Sequence, residues 1–177
     1  MINNKIPAKT KDGYYNAIIE IPIGATVKYE YRPDLDIIEV DRFTYTAFAY
    51  PFNYGFLPST LGGDNDPIDI IVFASAPIEQ HCLVQVRLLG ALMTQDEEGI
   101  DTKIIAIPTA KVDPFYKEIS SLDQLPAMTL ERIKHFYENY KSIEPGKWVK
   151  VSGWEGVDTA TKIVEDGIKR LIDQKSK

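Results

Sequence analysis

The first two-thirds of the chain reads as β-strands joined by short turns, and that pattern leaves few architectures open. Tyr15 to Ile21 is apolar and β-branched and stops at Pro22. Thr26 to Tyr31 alternates, with Val27, Tyr29 and Tyr31 on one side and Lys28 and Glu30 on the other. Ile37 to Val40 follows a Pro33-Asp34 turn, which predicts a hairpin. Ile68 to Ala74 is nearly continuous in apolar residues, as in a strand buried on both faces. The turn from Gln95 to Ile100 joins two more candidates, Leu83 to Met93 and Lys103 to Pro108. At least five strands so connected predict a closed or partly closed β-barrel. The period then changes. Leu125, Met128, Ile133, Phe136 and Tyr140 recur near helical spacing, as do Val157, Ala160, Val164, Ile168 and Leu171 after a cap expected at Asp158. Trp148 to Val151 reads as a further short strand between the helices. The expected class is α+β, a barrel with helices packed outside it, and residues 1–177 form one domain.

Composition excludes several functions. The net charge of −6 runs against a nucleic-acid binder, whose surface is usually basic. With one cysteine, Cys82, no intrachain disulfide is possible, and two histidines leave little for a zinc site. Cys82 is expected to be a small buried residue, His81 a loop residue and His135 a surface or interface residue. No signal-like apolar run opens the chain and no stretch is long enough to span a membrane, so a cytoplasmic location is expected.

Asp64-Asn65-Asp66-Pro67-Ile68-Asp69 puts three carboxylates immediately before an apolar strand. An extended backbone would aim Asp64 and Asp66 the same way, and Pro67 disfavours helix at Asp66. Such hard oxygen donors suit Mg²⁺, Mn²⁺ or Ca²⁺, although the same residues also make ordinary solvated turns. An EF-hand is excluded. Counted from Asp64, Ile68 holds position five, Asp69 stands where glycine is required and Ser75 where a bidentate glutamate is required. A second acidic group, Asp96 to Asp101, runs into Lys103, a cation able to hold a phosphate beside a metal. Lys28, Glu30 and Arg42 lie on neighbouring strand candidates. Tyr50 to Pro58 is aromatic and turn-rich, and Tyr140-Lys141 ends the first helix.

In this order these residues resemble the family I soluble inorganic pyrophosphatases of the compact bacterial type. Asp64-Asn65-Asp66-Pro67-Ile68-Asp69-Ile70 fits the family signature throughout, with Asn65 in a permissive slot often filled by glycine. Ile19-Glu20-Ile21-Pro22, Val27-Lys28-Tyr29-Glu30, Tyr50 to Gly55, Asp96 to Lys103, His135 to Lys141, Gly146-Lys147-Trp148 and Gly153-Trp154 match as flanks. The resemblance implies an OB-like five-stranded barrel with outer helices, and hydrolysis of pyrophosphate with Mg²⁺, for which Mn²⁺ can substitute. It implies that Asp64, Asp69 and Asp101 hold two activating ions, that Asp96 and Glu30 bind those arriving with substrate, and that Glu20 supports this shell. Lys28, Arg42 and Tyr54 would hold one phosphoryl group; Lys103, Tyr140 and Lys141 would hold the other. Asp66 would assist deprotonation of the attacking water, with Tyr50 close by. The resemblance further implies a homo-oligomer, a hexamer, with no nucleic-acid or membrane partner. Two other readings share parts of this pattern: an OB-type module for single-stranded nucleic acid, and a nucleotide phosphohydrolase, for which no base pocket is evident.

Overall fold

A computed structural model describes residues 5–176. In chain order it contains β1 (Tyr15–Ile21), β2 (Val27–Arg32), β3 (Ile37–Phe43), β4 (Asn53–Phe56), β5 (Asp69–Val72), β6 (Leu83–Asp96), β7 (Gly99–Ile100), β8 (Lys103–Pro108), helix α1 (Ala127–Asn139), β9 (Val149–Gly156) and helix α2 (Val157–Lys175). Five strands close into a ring. β1 pairs with β4, β4 with β5, β5 with β8, β8 with β6, and β6 returns to β1. All these pairings are antiparallel except β5–β8, which is parallel. The far end of β6 carries β7 and β9, and β2–β3 form a separate hairpin.

Alternate residues of the same strands feed two apolar clusters. Ala17, Ile19, Ile70, Val72, Ile104 and Ala106 pack with Ala160 and Val164 of α2. Ile21, Phe52, Ile71, Leu89, Ile105 and Ile107 pack with Ile133, Phe136 and Tyr137 of α1. Ile70 to Phe73 are buried, in line with the continuous apolar run read at Ile68 to Ala74, and every residue of β1 and β8 is buried as well. The fold is the expected barrel, but its membership differs. The segments at Val27 and Ile37 make the separate hairpin, and β4 supplies the ring strand that the turn-like reading of Tyr50 to Pro58 concealed.

Three local expectations are corrected, and one open choice is decided. Asp158 is not the cap of α2; Gly156 takes that position and Asp158 lies in the first turn, where its charge complements the helix dipole. Met128 is exposed, while Leu125 is buried just ahead of α1. Cys82 is exposed, at the start of β6. Of the two readings open for the stretch from Asp64 to Asp66, extended chain and turn, the structure has the turn. Asn65 has φ +73°, Asp64 Oδ1 accepts from the Asp66 N–H at 3.0 Å, and the Gly62 N–H donates to the Asp66 carbonyl at 2.6 Å. Asparagine tolerates this left-handed backbone better than most residues, which is a physical reason for glycine or asparagine in that slot.

Candidate active site

All the site residues named from the sequence but Tyr50 line one cleft of about 210 Å³. Glu20 comes from β1, Lys28 and Glu30 from β2, Arg42 from β3 and Tyr54 from β4. Asp64 and Asp66 come from the turn before β5, Asp69 opens β5, Asp96 ends β6, Asp101 precedes β8 and Lys103 opens it. Tyr140 and Lys141 follow α1. Tyr50 is the exception: it is buried behind the wall, its ring 6.1 Å from that of Tyr54 and 6.4 Å from that of Tyr140.

The parallel register of β5 and β8, Ile70 opposite Ile104, brings the starts of both strands together. Lys103 Nζ therefore donates to the carboxylates of Asp69 and Asp101 and lies 3.3 Å from the Tyr54 hydroxyl. Burial opposes the Lys103 charge, but Asp69 and Asp101 outweigh it and hold the ammonium well above its usual range. The carboxyl of Asp101 is nonetheless pushed up, mainly by burial, with Asp69 adding to it against the pull of Lys103. At the other end of the cleft Lys141 Nζ reaches Asp96 Oδ2 at 3.1 Å, and the Asp96 carboxylate also accepts the Glu98 N–H at 2.9 Å. Lys147 pairs with Glu97, which helps to draw that carboxyl down to about 2 against the opposing effect of burial.

Carboxylates outnumber the cations in the cleft lining, and burial, more than their neighbours' charge, raises several of them. Burial raises Glu20 to about 8, although it accepts the Tyr31 N–H at 2.8 Å. Asp66 is raised by burial and then by the Asp64 charge. Burial, then Asp69, pushes Tyr54 far up, so its phenol stays a neutral donor. Tyr140 is also kept neutral, by burial and then by Tyr50. An excess of hard oxygen donors with elevated carboxyl pKa values fits divalent cations of the magnesium class, which would supply the missing positive charge. Among the described residues, no three His, Cys, Asp or Glu side chains are already grouped as a ligand set; the Lys103 ammonium lies between Asp69 and Asp101.

Comparison with known proteins identifies the family. The sequence pattern of the inorganic pyrophosphatase family matches residues 17–172. The chain belongs to that family. It is 48% identical to an inorganic pyrophosphatase of Aquifex pyrophilus over 92% of each chain, and 43% identical to one of Saccharolobus solfataricus over 93% of this chain and 95% of that one. The solved inorganic pyrophosphatase of Coxiella burnetii superimposes with a TM-score of 0.90 at 44% identity, over 94% of this chain and 99% of that chain. That of Thermus thermophilus gives 0.91 at 37% identity, over 97% and 99%. Membership makes the protein a metal-dependent hydrolase of pyrophosphate. No described helix is long and apolar enough to cross a membrane.

Sequence reasoning gave no role to four charged residues around the cleft: Asp41, Glu97, Glu144 and Lys147. Regular strand alternation would turn Asp41 away from Arg42, so nothing in the sequence pattern marks it. Lys147 stood inside a matching flank, and its place after Gly146 was the available signal.

Proposed function

We propose that residues 1–177 act as one domain hydrolysing pyrophosphate to two orthophosphates with Mg²⁺, Mn²⁺ being an alternative ion. Asp64, Asp69 and Asp101 would hold the activating ions, and Asp96, Glu30 and Glu20 would complete the oxygen shell. Mg²⁺ held there would neutralise phosphate oxygens and acidify water. Asp66 accepts the proton of the attacking water at its carboxylate, and burial, then the Asp64 charge, raises its pKa, which makes it a stronger base than an ordinary aspartate. Lys28, Arg42 and Tyr54 hold one phosphoryl group, while Lys103, Tyr140 and Lys141 hold the other. Tyr54 and Tyr140, kept protonated, donate rather than repel. The bond between water oxygen and phosphorus forms as the bridging P–O bond breaks, and the departing phosphate carries its charge into the cationic side of the cleft.

The observation carrying this reading is the convergence in one cleft of acids from four separate segments with the buried Lys103. Phosphate release from pyrophosphate is expected with Mg²⁺ and is expected to vanish with excess chelator. Asp66→Asn and Asp101→Asn should each lose at least about a hundredfold in kcat, in the range for a removed acid-base or electrostatic group. Full activity in both would overturn the assignment. Nucleoside triphosphates assayed in parallel should be poor substrates. A cytoplasmic hexamer completes the proposal; sedimentation of the native protein at the mass of a monomer would contradict the assembly.

A further inference from the structure

β2 and β3 pair Lys28 with Arg42 and then Tyr29 with Val40, so Asp41 is the extra residue of a β-bulge. In a regular strand Asp41 and Arg42 would point to opposite faces. Here both side chains come to Lys28. A single oxygen, Asp41 Oδ2, lies 3.0 Å from Lys28 Nζ and accepts from Arg42 Nη1 at 2.7 Å. Two cations facing one cleft repel each other, and a shared carboxylate offsets that repulsion. Arg42 has a second anchor, Nε to Glu144 Oε2 at 3.3 Å. Among the described residues, Glu30, at 3.4 Å, is the one further carboxylate in ion-pair contact with Lys28, and Glu30 is assigned above to a cation. Asp41 is thus the acidic partner that Lys28 keeps once Glu30 turns to its ion.

We propose that Asp41 is a positioning residue, its carboxylate holding the Lys28 ammonium and the Arg42 guanidinium side by side as a preformed clamp for one phosphoryl group. Asp41 does not line the cleft and acts through its two partners. Long cationic side chains lose rotamer freedom when they bind phosphate; a carboxylate that has already fixed them removes that cost from the binding step. The charge matters as well as the hydrogen bonds, because an amide accepts more weakly than a carboxylate.

The inference rests on Lys28 and Arg42 being phosphate ligands, so the test separates the two ideas. Asp41→Asn, Asp41→Glu, Lys28→Gln, Arg42→Gln and the double variant Asp41→Asn/Lys28→Gln are compared. The measurements are kcat and KM for magnesium pyrophosphate, and the calorimetric Kd for inorganic phosphate. Lys28→Gln and Arg42→Gln should each raise KM and Kd. Asp41→Asn should raise both by about three- to tenfold, the range for a partly exposed charge pair, with kcat held within about twofold. Asp41→Asn should add less than about twofold on top of Lys28→Gln, since most of its effect passes through that lysine. Asp41→Glu should recover part of the loss. If Asp41→Asn fails to fold, Asp41→Ser replaces it with the same expected outcomes. Unchanged or tighter phosphate binding in Asp41→Asn, or an equal penalty in the Lys28→Gln background, would overturn the proposal alone. Unchanged constants in both Lys28→Gln and Arg42→Gln would remove the clamp reading beneath it.

Discussion

Glu20 offers a direct test of how the fold handles acid excess. Its side chain is buried and its carboxyl is raised from 4.5 to about 8, chiefly by burial. Between those two pH values the folded chain binds a proton that the unfolded chain has released. Stability from this group is therefore complete below pH ~4.5, falls as pH rises, and levels off above about 8. A gap of about 3.5 pH units at 1.36 kcal/mol per unit amounts to about 5 kcal/mol. Glu20→Gln keeps an oxygen for the Tyr31 N–H but cannot ionise. Urea unfolding in chelator, at matched protein concentration and at steps from pH 5 to 8.5, gives the difference between wild type and variant. The two should nearly coincide at pH 5, and the variant should be more stable by several kcal/mol at pH 8.5. A difference that does not change across this range would refute the reasoning.

Lys103→Met should lower stability in chelator by about 3 kcal/mol, because two neighbouring carboxylates lose their buried counter-charge. Added Mg²⁺ should restore about 2–3 kcal/mol of that loss if it reaches a hundred times its Kd; denaturant midpoints with and without the ion check this. Gly55→Ala would place a Cβ 1.9 Å from the Ile18 carbonyl oxygen, inside the β1–β4 pairing. Backbone on both sides cannot yield, so the variant should fail to accumulate as folded protein, as seen by circular dichroism. Asn65→Gly should be neutral to within about 0.5 kcal/mol, whereas Asn65→Val, forced to positive φ, should cost about 1–2 kcal/mol of thermal stability.

The sequence disclosed most of the barrel because its strands are apolar on both faces or alternate cleanly; β8 was read to the residue. β4 was hidden for physical reasons. Asn53-Tyr54-Gly55-Phe56 is short, lies between Pro51 and Pro58, and contains a glycine that strand statistics disfavour. That glycine is required by the close approach of β1, which is a tertiary fact. The cleft was legible through the ordered motifs that carry the family resemblance, since acids at turns and cations on strands, taken one by one, read equally as solvated surface. Its internal pairing was not. The Lys103 bridge depends on the parallel register, and the position of Asp41 depends on one extra residue in β3. Neither leaves a trace in spacing. The turn at Asn65 stood as one of two readings, because Pro67 argued against helix but could not choose between extended chain and a left-handed residue.

The seam between β5 and β8 also has a consequence for when the enzyme comes alive. Parallel strands cannot be joined by a tight turn, so the chain must travel along β6 and come back before Lys103 arrives beside Asp69, 34 residues earlier. β8 is also the last of the ring strands to leave the ribosome. A half-made or merely collapsed chain thus carries the early acids without their ammonium partner, and hydrolysis during refolding should report closure of the ring rather than the first burial of apolar surface.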